Sequence, residues 1–110
     1  MYVRIARFEG VDPGQIDQQI AELRGQLDAS RAGNVPEEYR DQTKVLMETV
    51  GRFAQLVDRE NGTILGLSFC ETEDDLRRAS EALDAMSPPS GGGSRTGVET
   101  YEIAIDESFR

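Results

Sequence analysis

The sequence predicts an α+β domain of order β-α-α-β-β-α-β, and three observations carry that reading. Apolar residues alternate on both sides of Asn61-Gly62, the pattern of a hairpin. Thr72-Glu73-Asp74-Asp75 follows at once as a helix start. Between a first strand at 2–8 and the hairpin, apolar residues recur at helical spacing.

Each element has its own justification. Residues 2–8 (YVRIARF) are rich in β-formers and read as a strand. Asp12-Pro13-Gly14-Gln15 opens a helix, with an N-cap, a proline at the first helical position and Gln15 placed for a capping box. Ile16, Ile20, Leu23 and Leu27 form its apolar stripe, and Gly33-Asn34 ends it. Pro36-Glu37-Glu38 starts a second helix that runs to Val50, with Tyr39, Val45, Leu46, Met47 and Val50 as candidate buried residues. Strands follow at 52–59 and 63–70, joined by Asn61-Gly62 in a two-residue type I′ turn, which needs positive φ at both central residues. The Thr72 hydroxyl caps a third helix whose stripe is Leu76, Ala79, Leu83 and Met86, and Pro88-Pro89 stops it. Residues 87–97 (SPPSGGGSRTG) read as a flexible loop, and 98–106 as the last strand, with Tyr101, Ile103 and Ile105 on one face. The whole is a ferredoxin-like βαββαβ arrangement with an extra helix in the first crossover, a single domain over 1–110.

Composition narrows the function classes. Net charge is −9, which opposes nucleic-acid binding because phosphate neutralisation needs a concentrated basic surface. No apolar run approaches the roughly 20 residues of a membrane helix. Met1 leads straight into a strand rather than a signal sequence, so a cytoplasmic protein is expected. Cys70 is the only cysteine and the chain has no histidine, so neither a disulfide nor a cysteine-histidine metal site is expected. The acidic run Glu71, Glu73, Asp74 and Asp75 falls in the first turn of a helix, where the dipole accounts for it without a metal. No cofactor is expected.

The helices of this topology cover one sheet face, yet both alternation sets carry apolar residues. Leu65, Leu67 and Phe69 oppose Ile64 and Cys70, and Tyr2 and Phe8 oppose Val3 and Ile5. A four-stranded face of roughly 20 by 20 Å leaves about 400 Å² of largely apolar surface. Two copies packing those faces would bury it symmetrically, so a homodimer is expected, with Leu65, Leu67 and Phe69 at the interface.

Residues 57–83, VDRENGTILGLSFCETEDDLRRASEAL, resemble the central signature of the dimeric α/β-barrel superfamily, in particular its antibiotic-biosynthesis-monooxygenase-like branch. That signature is a short hairpin, a strand ending near an aromatic residue, and an acidic helix start. The resemblance implies the same sheet, dimerised face to face into an α/β barrel. It also implies a substrate space on the helix side of the sheet, beside Gly66, Ser68 and Cys70. Quinone-forming members resemble one another in an Asn-x-x-x-Trp arrangement. Aligned on Cys70-Glu71-Thr72-Glu73-Asp74, those two positions are Gly66 and Cys70 here.

The candidate pocket lies between the helix stripes (Ile16, Ile20, Leu23, Leu76, Leu83) and the sheet. Its candidate residues are Arg4, Arg7, Gly66, Ser68, Cys70 and Tyr101. Arg4 and Arg7 lie on opposite faces of the first strand, so one points inward, either to bind an anionic or phenolic oxygen or to pair with a carboxylate such as Glu102. Gly66 and Ser68 either leave room for a ligand or let a helix approach. Cys70 is a buried thiol or a nucleophile without a histidine base. Tyr101 is a hydrogen-bond donor or an interface residue. Two functions remain open. One is a homodimeric small-molecule-binding protein. The other is a cofactor-independent monooxygenase acting on an activated quinol- or anthrone-like aromatic.

Overall fold

The computed structural model of the chain describes residues 1–86 and 94–110. Strand β1 (Tyr2–Glu9) leads through a 3₁₀ turn at Pro13–Gln15 into helix α1 (Ile16–Arg31). A second 3₁₀ turn at Glu37–Tyr39 opens helix α2 (Arg40–Thr49). Strands β2 (Arg52–Asp58) and β3 (Thr63–Cys70) form the hairpin, followed by helix α3 (Glu73–Asp84) and strand β4 (Ser94–Glu102). The sheet is antiparallel with order β2-β3-β1-β4, an α+β architecture compatible with a ferredoxin-like fold. No helix among the described residues is long and apolar enough to cross a membrane.

Local chemistry caps the first 3₁₀ turn and α3 and ends α1 as the sequence predicts. Among the described residues Gln15 makes no capping bond, and the Pro88-Pro89 stop lies outside them. The Asp12 carboxylate accepts from the Gly14 amide, and the Thr72 hydroxyl accepts from the Asp75 amide at 3.0 Å. Past α1, Gly33 takes a positive φ of 80°, and the Asn34 amide reaches back to the Ala29 carbonyl, satisfying a carbonyl the helix leaves free. In α2 the buried residue is Thr49, whose hydroxyl donates to the Val45 carbonyl, while Met47 is exposed. Leu46 and Thr49 take the inward positions of this helix, which leaves Met47 in solvent.

The hairpin departs from a two-residue turn. Asp58 pairs with Thr63, so residues 59–62 form a four-residue loop, and of its residues Gly62 alone has positive φ. Asp58 enforces this: its carboxylate accepts from both the backbone and side-chain amides of Asn61. Those bonds hold Asn61 out of the left-handed region and keep the Asp58 pKa below its ordinary value, with the side-chain bond the larger cause. The loop also docks on the crossover after β1. The Val11 amide donates to the Gly62 carbonyl at 3.0 Å, and a Cβ on Gly62 would fall 2.2 Å from the Val11 oxygen.

Strand β4 lies about four residues earlier than the alternation predicts. Among the described residues its partner is β1 alone, and the register Tyr2 opposite Glu102 exhausts that partner at its first residue. One more bond, from the Ile103 amide to the Met1 carbonyl, ends the ladder, so Ile105 has no strand beside it. At the other end Ser94 and Arg95 pair with Glu9 and Phe8, across a bulge that leaves Thr96 unpaired. Of the loop expected at 87–97, residues 94–97 therefore belong to the sheet and 87–93 lie outside the described residues.

Among the described residues three glycines have positive φ, and two of them, Gly33 and Gly62, make a controlled comparison. Gly33→Ala meets open space and should cost only the left-handed penalty, about 1–2 kcal/mol. Gly62→Ala adds a collision with fixed backbone and should cost at least ~2 kcal/mol more in urea unfolding. Equal losses would show that the Gly62–Val11 approach does not constrain the fold.

Candidate functional site

The register aligns side chains in rows across the helix-facing side of the sheet. Phe8, Ile64 and Val57 form one end row and pack with Val11, Ile16 and Ile20. Tyr2 and Cys70 form the other end row and pack with Leu76, Ala79, Leu46 and Val50. These are two separate apolar clusters. Between them run two rows of different character: Thr100–Arg4–Ser68–Phe53, and Val98–Ala6–Gly66–Gln55. The middle of the interior is thus small and polar.

Arg4 is the centre of it. Its side chain is 4% exposed, and one guanidinium nitrogen donates to Asp84 Oδ1 of α3 at 2.9 Å. Arg95 of β4 donates to the same oxygen at 3.1 Å, so two cations share one carboxylate. The Arg4 Nε is buried and has no hydrogen-bond partner among the described residues. Burial pushes the Arg4 pKa below its ordinary value and Arg95 adds to that, while Asp84 opposes it. The guanidinium stays protonated at neutral pH, because its ordinary value is so high. The result is a locally positive, under-partnered point inside an acidic chain.

Phe53 and Gly66 act together beside it. The Phe53 ring carbons lie 3.7 Å from where a Gly66 Cβ would stand, so the ring occupies the space the glycine leaves. Phe53 sits on an edge strand and is 38% exposed. A planar ligand can take the place of that ring by turning one side chain outward. Two open grooves lie on the flanks of α3, the first of them reaching Thr100 beside Arg4. One, of ≈ 520 Å³, is lined by Leu76, Arg77, Ser80 and Thr100 among others; the second, of ≈ 310 Å³, lies between α2 and α3. Neither is lined by Gly66, Ser68 or Cys70.

The structure brings together Arg4, Gly66, Ser68 and Cys70 on the helix side, with Cys70 at the edge of the polar rows. Arg7 and Tyr101 are not part of that set: the register places both on the opposite face, Arg7 against Leu65 and Tyr101 against Val3. Tyr101 donates to Glu99 there, and that bond raises its pKa. The partner of Arg4 is Asp84 and not Glu102, which stands opposite Tyr2. Asp84, Arg95, Phe53 and Gln55 join the site without having been singled out in the sequence. A charged residue between Val3 and Ile5 of a central strand signals that a carboxylate must come from somewhere; only the helix packing tells which. Among the described residues no cluster of three potential metal ligands forms.

Cys70 is buried, and its pKa is raised by desolvation and then by Asp75, which disfavours the reactive thiolate. Searches against known protein families and against curated protein sequences find no match to this chain. Thiol titration checks the Cys70 assignment. A disulfide reagent near pH 8 should label native protein at least ~100-fold more slowly than protein in denaturant, since labelling waits on opening of the α3–sheet contact. Immediate stoichiometric labelling would make Cys70 an accessible nucleophile.

Proposed function

We propose that this protein is a homodimeric, cytoplasmic small-molecule-binding protein that takes a compact anionic aromatic over the rows of Arg4–Ser68 and Ala6–Gly66. The observation that carries the reading is the buried Arg4 guanidinium with its unpartnered Nε, sharing its one carboxylate with Arg95. A buried donor without an acceptor costs stability, and a ligand carboxylate or phenolate supplies the missing acceptor. The adjacent small residues and the displaceable Phe53 ring suit a flat ligand. On this reading the chain is a member of the dimeric α/β-barrel superfamily, of the antibiotic-biosynthesis-monooxygenase-like branch, that binds rather than turns over its ligand. Binding is preferred because the chain has neither histidine nor tryptophan and burial disfavours the thiolate of its one cysteine.

The dimer reading rests on the other face of the sheet. There Val3, Ile5, Leu56, Leu65, Leu67, Phe69 and Tyr101 form one apolar surface with no helix over it, and Arg52 lies 4.8 Å above the Phe69 ring. Faces of this kind are stable in water when a second copy covers them.

Two measurements test these readings separately. Titration with a hydroxynaphthoate should give saturable NMR shifts at Arg4, Phe53, Gly66 and Ser68, and Arg4→Gln should weaken binding at least about tenfold, the value of a charged hydrogen bond. Asp84 keeps Arg95 in that variant, so the fold should survive. Unchanged affinity would remove Arg4 from the site, and oxygen uptake well above autoxidation would make the protein an oxygenase. Separately, Leu67→Glu should convert a dimer to monomer in sedimentation velocity, because a carboxylate buried without a partner costs several kcal/mol, roughly. A Leu67→Glu protein as dimeric as its parent would move the interface elsewhere.

A further inference from the structure

Asparagine before glycine is the arrangement most open to deamidation, because glycine leaves the following amide nitrogen unhindered. Here the pair stands at the hairpin tip, with Asn61 exposed and Gly62 buried. The tip is tied down on every side. Asp58 accepts from the Asn61 backbone amide at 3.2 Å and from its side-chain Nδ2 at 2.8 Å. The Gly62 carbonyl accepts from the Val11 amide at 3.0 Å, and a side chain on Gly62 would strike the Val11 carbonyl. Arg59 pairs with Asp17 of α1 at 2.8 Å. Just beyond the loop, Ile64 packs with Val11 and Ile16. The tip is therefore a clasp between the hairpin and the start of α1.

We infer that Asn61 is a modification site whose spontaneous conversion to isoaspartate is held back by the native loop, and whose conversion releases that loop from Val11. The Gly62 amide nitrogen attacks the carbonyl carbon of the Asn61 side chain. The bond from that carbon to Nδ2 breaks, and ammonia leaves with the proton given up by the Gly62 amide. Water then opens the cyclic imide at either carbonyl, giving aspartate or isoaspartate, and no oxidant is needed. Ring closure requires the Asn61 side chain to leave its staggered well and the Gly62 peptide to turn. Asp58 opposes the first motion by holding the departing nitrogen, and the Gly62–Val11 bond opposes the second. The products cannot restore the clasp. Either acid replaces a donor to Asp58 with a carboxylate, beside Glu60 as well, while Arg59 is already paired with Asp17. Isoaspartate also routes the main chain through the former side chain. That lengthens a loop fixed by the Asp58–Thr63 pairing at its ends and by Val11 at Gly62.

The test ages the full chain in mildly alkaline buffer, native and in denaturant. Mass spectrometry follows the peptide holding Asn61, and enzymatic isoaspartate methylation identifies the linkage. Native protein should convert at least about tenfold more slowly than denatured protein. Asp58→Ala should lose most of that protection with its β1 and β3 amides still slow to exchange, and Asp58→Asn, which keeps one acceptor, should fall between. Protein converted in denaturant, then refolded and fractionated by ion exchange, should show the Val11 amide exchanging at least about tenfold faster than in unconverted protein treated alike. Its β1 and β3 amides should be unchanged. Equal native and denatured rates overturn the restraint by the fold. Asp58 variants as resistant as the parent remove Asp58 from it. A Val11 amide as protected after conversion as before overturns the release, and lost protection in β1 and β3 makes the effect global and overturns it equally. No conversion even in denaturant removes the site.

Discussion

A two-layer domain built on one sheet covers one side of it, and that geometric constraint determines most of what this molecule must do. All three helices cross over to the same side, so alternate residues of every strand meet either side chains or water. On β1 the consequence is plain. Tyr2, Ala6 and Phe8 enter the helix layer with Arg4, while Val3, Ile5 and Arg7 face the other way. Val3 is buried even there, wedged between Phe69 and Tyr101 of its neighbouring strands. The uncovered face therefore already packs laterally, and what it lacks is a layer above it.

The second constraint is electrostatic. An arginine among apolar neighbours is tolerable only when its charge is answered, and here the answer comes through the Asp84 carboxylate of α3, itself half in solvent and divided with Arg95. Sharing spreads one negative charge over two cations and leaves a positive remainder at depth. The same contact fixes geometry, because it joins the central strand, the end of α3 and the start of β4 at one point. A functional reading of Arg4 and a structural one are therefore not rivals. The ion pair orients the guanidinium, and the unmatched Nε is what the orientation leaves over.

Much of this was legible in the sequence, and the boundary has physical causes. Strand existence, helix caps and the sharing of one strand face by Gly66, Ser68 and Cys70 follow from period and from local hydrogen bonding, which the chain encodes within a few residues. Which way that face points comes from the resemblance alone. The errors lie where a distant partner decides, or where two local hydrogen-bonding patterns compete. The last strand stops at Glu102 because β1 starts at Tyr2, a fact of register that no window around Ile105 contains. The loop at 59–62 is four residues long because Asp58 captures Asn61, a competition that Asn-Gly alone does not reveal. Tyr101 and Arg4 looked like neighbours by type, and the pleat places them on opposite sides. For Arg4 the sequence announced a need for a carboxylate, but Asp84 lies 80 positions away and only the packing of α3 delivers it.

The division of the interior into two apolar clusters, with polar and small residues between, also bears on how the protein comes apart. Contiguous cores transmit a local loss of packing and so unfold as one; cores interrupted by a soft middle open in pieces. One piece here is the α1 entry with the hairpin tip, held by Ile16, Val11 and Ile64 and latched from outside by the Arg59–Asp17 pair at 2.8 Å. The other is the α2–α3 pair over Cys70, with Arg78 bonded to Glu48 at 3.0 Å across the helices. Two clusters without shared members should let either end open while the other keeps its strands in register. On the binding reading proposed above, an opening at the α1 end would expose the central rows without dissolving the helix pair, so a ligand would enter at the cost of one partial opening rather than of the whole fold.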